Sequence, residues 1–374
     1  MPGVPDVAYN LTNEQVADLY NLTLRAVEKD EGAALDVALD HLGYEFMDGI
    51  LRQNKVELSG TSISGRIMLD ASGNAKFIDP GEPSDPNIVD VSYPYDIPWK
   101  YIETNFSTER HEILKNMGSA VQLYDLAKLR RLDGFMGVCN LVEENFWAAA
   151  PALPSTKALW GPQVWAGKYA SATDGAGYWG GFPTGWTDVA GIAPCAAVGG
   201  GGGTSAVTGG HAKWRNWCGR YTAINPHWVN RMVEMLTRMK FKAPILAEQL
   251  IQQPYADYRV YCDVDSKLDV SSYQRKRGDD NGAEVAQLAG GTMLVMGTPI
   301  VPTDCLDYDT EDPFFAINRG LFKAAILIGD NMRMDGPISG GVRNHDVLTT
   351  FLNLTTNVRC RNRRQGIGVV NKHV

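Results

Sequence analysis

One segment of this sequence dictates its own secondary structure. Between residues 119 and 149, Val121, Leu123, Leu126, Leu129, Leu132, Met136, Cys139, Leu141 and Phe146 recur at helical spacing and form a broad apolar face. Gly134 and Gly137 fall in its middle, where the backbone freedom of glycine is expected to weaken or bend the helix. Glu143 and Glu144 read as its wet side. Neighbours on a helix point about 100° apart, so these two carboxylates cannot serve one substrate atom.

The sequence that follows has the opposite character. Pro151 to Gly210 carries only four charges, Lys157, Lys168, Asp174 and Asp188, and includes the run GGGGG at 199 to 203, so it reads as an insertion of irregular structure. Within it, Val189 to Ala212 is uncharged and long enough to span a bilayer. Eight of those 24 residues are Gly and none is Leu or Phe, which makes it loop rather than membrane helix. Eight of the nine Trp (Trp147, Trp160, Trp165, Trp179, Trp186, Trp214, Trp217 and Trp228) lie within 82 residues around this segment. Exposed, such a cluster can stack on sugar rings. The plainer reading is that large aromatics supply the core of a Gly-rich region.

Before the long helix, residues 12 to 52 read as two short helices. Thr12 and Gln15 make a capping-box pattern, and Val16, Leu19, Tyr20, Val27 and then Leu35, Ala38, Leu39, Leu42 keep three- and four-residue spacing. From Val56 to Phe106, GRIML and AKFI flank DASGN, and Pro80, Pro83, Pro86, Pro94 and Pro98 follow. This predicts a projecting hairpin with an extended return. Past the insertion, Asn225 is a cap and Pro226 a first helical residue for a helix through Trp228, Met232, Met235, Leu236 and Met239. YRVYCDV, a helix near 266 to 277, LVMGTPIV, FFAINRG, FKAAILIG and a long strand-like run TTFLNLTTNVRCRNRRQGIGVV complete the chain. The class is α+β.

With 374 residues, two or three domains are expected, and 44% hydrophobic against 21% charged residues excludes disordered and fibrous classes. The net charge of -8 has the wrong sign for a dedicated nucleic-acid binder. Six cysteines (Cys139, Cys195, Cys218, Cys262, Cys305, Cys360) show no CxxC and no compact spacing, so free thiols are expected. No charged and apolar leader opens the chain, and export by a signal peptide is not expected.

Motifs of catalysis are weak throughout, and no catalytic, cofactor-binding or metal-ligating residue is assigned. Gly175, Gly177 and Gly180 spell GxGxxG, but KYASATD precedes and GFPTG follows where a strand and a helix are needed. Gly161 to Lys168 has one residue too many for a phosphate loop. Asp307, Asp309 and Glu311 alternate as calcium ligands do but lack the Gly and the distal Glu, leaving a solvated acidic loop. The six histidines fall at no metal-binding spacing. Two basic clusters, Arg275-Lys276-Arg277 and Arg359-Arg361-Arg363-Arg364, could touch phosphate. Alternation in the second suggests a charged strand face at an interface or in solvent.

The order of these parts resembles the tailed-bacteriophage major capsid protein family, whose shell fold is shared with encapsulating nanocompartments. WRNW at 214 to 217, the helix at 226 to 240, the Tyr258-Arg259 strand and the helix after it, Gly290-Gly291, LVMGTPIV, FFAINRG and the late RCRNRR carry the likeness. It extends loosely over 57 to 149 and more closely over 214 to 374, or 254 of 374 residues. The resemblance implies an N-terminal arm (1–55), an extended loop (56–106), a peripheral domain with a spine helix (107–150), an axial domain (225–345) and a C-terminal strand (346–374) returning to the peripheral domain. The Gly/Trp-rich insertion (151–224) departs from the family pattern.

Such a protein is not an enzyme and needs no cofactor. The resemblance implies pentamers and hexamers of the chain, a separate scaffolding protein, a portal, a possible decoration protein, non-specific inner-surface contact with packaged DNA, no membrane, and a place in the virion after assembly in the bacterial host cytoplasm. The expected intersubunit contacts are Arg66, Ile67, Leu69, Asp70, Lys76 and Phe77 of the hairpin, which has too few large apolar residues to pack on its own domain. The competing class is a carbohydrate-binding or carbohydrate-active protein built around the Trp-rich 147–228 region.

Overall fold

The computed structural model describes residues 13–29, 40–53, 55–68, 74–80, 92–116, 120–151, 156–168, 175–179, 215–240, 257–276, 285–287, 292–340, 344–360 and 362–373. The chain divides into two compact units, one of residues 1–40, 101–141 and 327–355, the other of residues 41–100, 142–326 and 356–374.

In the first unit, helix α1 (Asn13–Lys29) presents Val16, Tyr20 and Leu24, spaced by four, to a core shared with Phe106, Ile113, Leu123, Ala127 and Leu348. Phe106 comes from strand β4 (Lys100–Glu109), Ile113 from α2 (Arg110–Asn116), and Leu123 and Ala127 from the long helix α3 (Ala120–Trp147). Tyr20 is buried to 1% exposure, and its hydroxyl is satisfied by Thr108 Oγ1 at 2.8 Å. Strand β13 (Arg333–Gly340) runs antiparallel to β14 (Asn344–Cys360), with Arg333 opposite Asn353, and β4 also pairs β14. Helix α3 continues through both glycines rather than breaking at them. Gly134 is there for space: a Cβ would stand 2.6 Å from the Phe106 ring.

The second unit is built on an eight-stranded mixed sheet in the order β5-β6-β15-β11-β7-β10-β9-β8. Its strands are β5 (Ala176–Trp179), β6 (Asn216–Tyr221), β7 (Tyr258–Cys262), β8 (Val285–Gln287), β9 (Met293–Val295), β10 (Thr298–Pro302), β11 (Phe314–Asn318) and β15 (Ile367–Lys372). Strand β11, FFAIN, is buried at every residue, as expected for a strand paired on both edges with no face left to water. The apolar run LVMGTPIV folds as the β9–β10 hairpin. Met296 (φ 48°) and Gly297 (φ 73°) form its two-residue turn, whose handedness requires positive φ at both positions.

Helix α5 (Pro226–Met239) covers the sheet. Asn225 caps it by accepting from the Trp228 backbone N–H at 3.1 Å, and Pro226 occupies the first turn, where no N–H partner is needed. Trp228, Val229, Met232, Met235, Leu236 and Met239 are buried on one stripe against Trp217, Val260, Phe314 and Val370. Each such side chain contributes roughly 1.5–3 kcal/mol on burial. The helix expected near 266 to 277 is α6 (Val264–Lys276).

Three readings of the sequence are corrected by this fold, and a further one falls mostly outside the described residues. The segment 151–224 is not wholly irregular: a short helix α4 (Pro162–Trp165) and strands β5 and β6 lie in it, and β6 buries Trp217 in the sheet core. The C-terminal run is two strands, β14 and β15, separated by the short helix α7 (Arg363–Gly366), and β15 enters the eight-stranded sheet between β6 and β11. The second N-terminal helix falls largely on residues 30–39, outside those described; the helical segment that follows is a π-helical turn at Phe46–Arg52. Finally, GRIM pairs with SYPYDI, not with AKFI. Strand β2 (Ile63–Met68) runs antiparallel to β3 (Ser92–Ile97), with Ile63 opposite Ile97 and Arg66 opposite Pro94. A two-stranded ribbon has two free edges, so a proline that cannot donate a hydrogen bond is tolerated in it.

Candidate intersubunit surface

The hairpin is fastened at its base. Ile63 and Ile97 are both fully buried, and the neighbouring Trp99, 7% exposed, donates from Nε1 to Gly60 O at 3.0 Å. Asn357 Nδ2 donates to Pro98 O at 2.8 Å, and Lys100 Nζ donates to Thr156 O at 2.5 Å. Burial holds the Lys100 ammonium below the ordinary lysine range, since desolvation penalises the charged form. Away from this base the polypeptide turns outward. Arg66 is exposed, and so is every residue from 74 to 80.

Of the six expected contact residues, Arg66 and Ile67 lie on β2, and Lys76 and Phe77 on the irregular exposed segment; Leu69 and Asp70 lie outside the described residues. Phe77 is 106% exposed and Ile78 53%, so one large apolar side chain stands fully in water and a second about half so. Sequence reasoning named Phe77 for its apolarity but placed it in a strand. It passed over Ile78, which the same criterion would have found.

A second feature was read wrongly from the sequence. Glu143 is 0% exposed and is not the wet side of α3; Glu144 is, with its side chain 59% exposed. The Glu143 carboxylate accepts from the backbone N–H groups of Phe46 (3.0 and 3.1 Å) and Met47 (3.2 Å) and from Trp147 Nε1 (2.8 Å). It thereby satisfies amides that the start of the π-helical turn leaves without an internal partner. Burial raises its pKa above the ordinary glutamate range, opposed by these three donors. Around it, Phe46 stacks on Phe146 with ring centroids 4.1 Å apart, and Trp147 lies 4.9 Å from Tyr261.

Two of the late arginines, Arg359 and Arg363, are also interior. Arg363 is 0% exposed and donates from Nε to Trp165 O at 2.6 Å and from Nη2 to Asn216 Oδ1 at 3.1 Å; Arg359 is 5% exposed. Their alternation marks strand and helix positions that face inward, where a guanidinium can serve several carbonyls at once. The acidic run is no open calcium loop either: Asp309 and Glu311 pair with Lys168 Nζ at 2.7 and 3.0 Å. The GxGxxG segment supplies β5, in register with β6 at Gly177 and Cys218.

Trp147, Trp160, Trp165, Trp217 and Trp228 are all buried to 2% or less, which removes the platform a sugar-stacking site would use at those positions. Trp186 and Trp214 lie outside the described residues. Cys139, Cys218, Cys262, Cys305 and Cys360 form no disulfide among the described residues, and Cys195 lies outside them. Among the described residues no helix is long and apolar enough to cross a membrane. One group of possible metal ligands occurs among them, His41, Asp304 and Cys305, whose members lie some 263 residues apart in sequence and could not be joined by spacing.

No family model and no curated protein matches the chain in sequence. Comparison by structure is different. The chain of a cyanophage A-1(L) capsid asymmetric unit matches at TM-score 0.54 and 12% identity, over 92% of this chain and 97% of that one. The capsid of cyanophage P-SCSP1u matches at TM-score 0.50 and 12% identity, over 92% of each chain. With more than nine-tenths of its length matched in each case, the chain has the fold of phage major capsid proteins.

Proposed function

We propose that this protein is a structural major capsid protein that self-assembles into the icosahedral head enclosing a phage genome. The observation that carries the reading is the agreement of nearly the whole chain with capsid subunits. The hairpin supports it. An isolated two-stranded ribbon is marginally stable in water, and exposed apolar side chains at its far end gain most when a neighbour covers them. In this reading Arg66, Ile67, Leu69, Asp70, Lys76 and Phe77 meet the adjacent subunit. The unit containing α1, β13 and most of α3 acts as the peripheral domain, and the eight-stranded sheet with α5 and α6 acts as the axial domain around five- and six-fold axes.

Copies of the chain in pentamers and hexamers, a separate scaffolding protein, a portal and a decoration protein are the partners proposed. DNA is held by non-specific contact with the inner surface, and the protein resides in the virion after assembly in the bacterial host cytoplasm. The role is structural rather than enzymatic.

Light scattering coupled to size exclusion, with electron microscopy, tests the proposal. The expected result is closed particles from the full chain expressed with its scaffolding partner. Replacing residues 64–96 with a short Gly-Ser linker, which keeps Ile63 and Ile97 at the base, should leave a soluble subunit with native circular dichroism that forms no particles. A full chain that stays monomeric under every assembly condition would overturn the capsid reading, whereas normal particles from the linker variant would overturn only the role given to the hairpin.

A further inference from the structure

We infer that His41, Asp304 and Cys305 form a binding site for a divalent transition-metal ion of zinc's class. His41 Nδ1 lies 3.1 Å from Asp304 Oδ2 and 3.5 Å from Cys305 Sγ, and the three donor atoms all lie within 4.8 Å of one another. Two tetrahedral ligands at bond lengths of 2.0–2.3 Å stand about 3.3–3.6 Å apart, so the two separations from His41 are already close to the edges of such a polyhedron. The donor set of one imidazole, one carboxylate and one thiolate is that of a borderline-soft ion, not of calcium or magnesium, which take oxygen ligands.

The surroundings orient the histidine for this role. Glu144 Oε1 lies 3.7 Å from His41 Nε2, on the side of the ring away from the cluster. His41 Nε2 is buried without a hydrogen-bond partner, so Glu144 is the carboxylate within reach of its proton, and with the proton on Nε2 the Nδ1 lone pair faces Asp304 and Cys305. Nδ1 and a carboxylate oxygen are then two acceptors at 3.1 Å, and such a contact is attractive only with a proton or a cation between them. Asp304 Oδ1 is buried without a hydrogen-bond partner, which gives the carboxylate a further lone pair to offer. The Tyr44 ring, edge-on to His41 at 5.6 Å, restricts its rotation.

Binding breaks the Cys305 S–H bond and forms a metal–sulfur bond, with the proton released to solvent and no change of oxidation state. The ion would clasp the segment around His41 to the 3-10 turn Asp304–Leu306, two stretches otherwise joined here by His41 and by the Leu42 N–H donating to Asp304 Oδ2 at 3.4 Å. Three protein ligands leave a fourth position for water.

The test uses the full chain stripped with a chelator and titrated with cobalt(II), whose thiolate complexes absorb in the near ultraviolet. The expected result is a band that saturates at one equivalent per chain, is bleached by equimolar zinc, survives in Cys139→Ser and vanishes in Cys305→Ser and in His41→Gln. Glu144→Gln should weaken affinity about 10–100-fold without abolishing the band. No band in the native chain, or a band unchanged in a Cys305→Ser protein with native circular dichroism, overturns the site. Should both ligand variants fail to fold, alkylation of Cys305 in the native chain decides: protection by zinc supports the site, and equal labelling with and without zinc refutes it.

Discussion

The eight-stranded sheet and the β2–β3 hairpin are both β-structure in the same chain, yet they end in opposite situations. Every residue of β11 is buried, its edges are paired with β15 and β7, and α5 lays six buried side chains in the sheet's core. The hairpin, a two-stranded sheet among the described residues, is buried at Ile63 and Ile97 of its base and leads to a segment in which Phe77 is fully and Ile78 half exposed. The first region is stabilised by its own chain. The second has its backbone hydrogen bonds and an exposed segment at 74–80, which in the proposed shell a neighbouring subunit covers. Substitutions should therefore divide cleanly, those in the sheet unfolding the subunit and those in the hairpin sparing it.

The largest effect is expected from Trp228→Ala, which removes a fully buried indole between α5 and Phe314, their rings 5.0 Å apart. Loss of the buried area and the cavity left behind should cost about 3–5 kcal/mol, read as a lower denaturation midpoint. A loss below about 1 kcal/mol would break the comparison, since α5 would then not be what covers the sheet. Next in size is Glu143→Leu, which leaves the Phe46 and Met47 amides and the Trp147 indole N–H without their acceptor. A cost of about 2–4 kcal/mol is expected from orphaned buried donors, measured by the same unfolding experiment.

A smaller effect separates charge from hydrogen bonding at that position. The folded-state pKa of Glu143 is raised above its unfolded value, so the folded protein binds the proton more tightly. Stability then falls as pH rises from the unfolded pKa through the folded one and stays lower above it. Glu143→Gln keeps an acceptor and cannot ionise, so its stability profile should lack this fall, and the difference between the two proteins should grow with pH above the ordinary glutamate range. Parallel profiles would show that the three donors cancel desolvation, and a difference that shrinks with pH would show that they outweigh it. The smallest effect on the subunit is expected from Phe77→Ser with Ile78→Ser: an unchanged melting temperature, because Phe77 is fully and Ile78 half exposed, together with a marked loss of particles by light scattering. A large drop in melting temperature would mean that the hairpin packs on its own subunit and would erase the contrast between the two regions.

The periodic parts of the chain were legible because their periodicity is produced by burial. The α5 stripe follows from 3.6-residue spacing and the cap at Asn225, and strand β11 from its continuous apolar run; α3 is a helix as read, but Leu129 and Leu141 of its expected apolar face are exposed. Strand pairing was not legible in the same way. GRIM has suitable neighbours in both AKFI and SYPYDI, and only the burial of Ile97 opposite Ile63, at a base tied by Trp99 and Asn357, selects the more distant partner. Glu143 and Glu144 carry the same chemistry one residue apart, and nothing local distinguishes the one that reaches the π-helical turn from the one that faces solvent.

What the sequence determined by itself was the α+β class, the existence and type of its longest elements, the order of parts that resembles a capsid subunit, and the exposed apolar chemistry at Phe77. Tertiary structure alone decided that β15 lies between β6 and β11, that Arg363 is an interior donor, and that His41 meets Asp304 and Cys305 across some 263 residues. The physical reason is range. Helical caps and periodic stripes are set by interactions within a few residues, whereas a carboxylate, guanidinium or thiol takes its role from whichever distant donors and acceptors folding brings within about 3 Å.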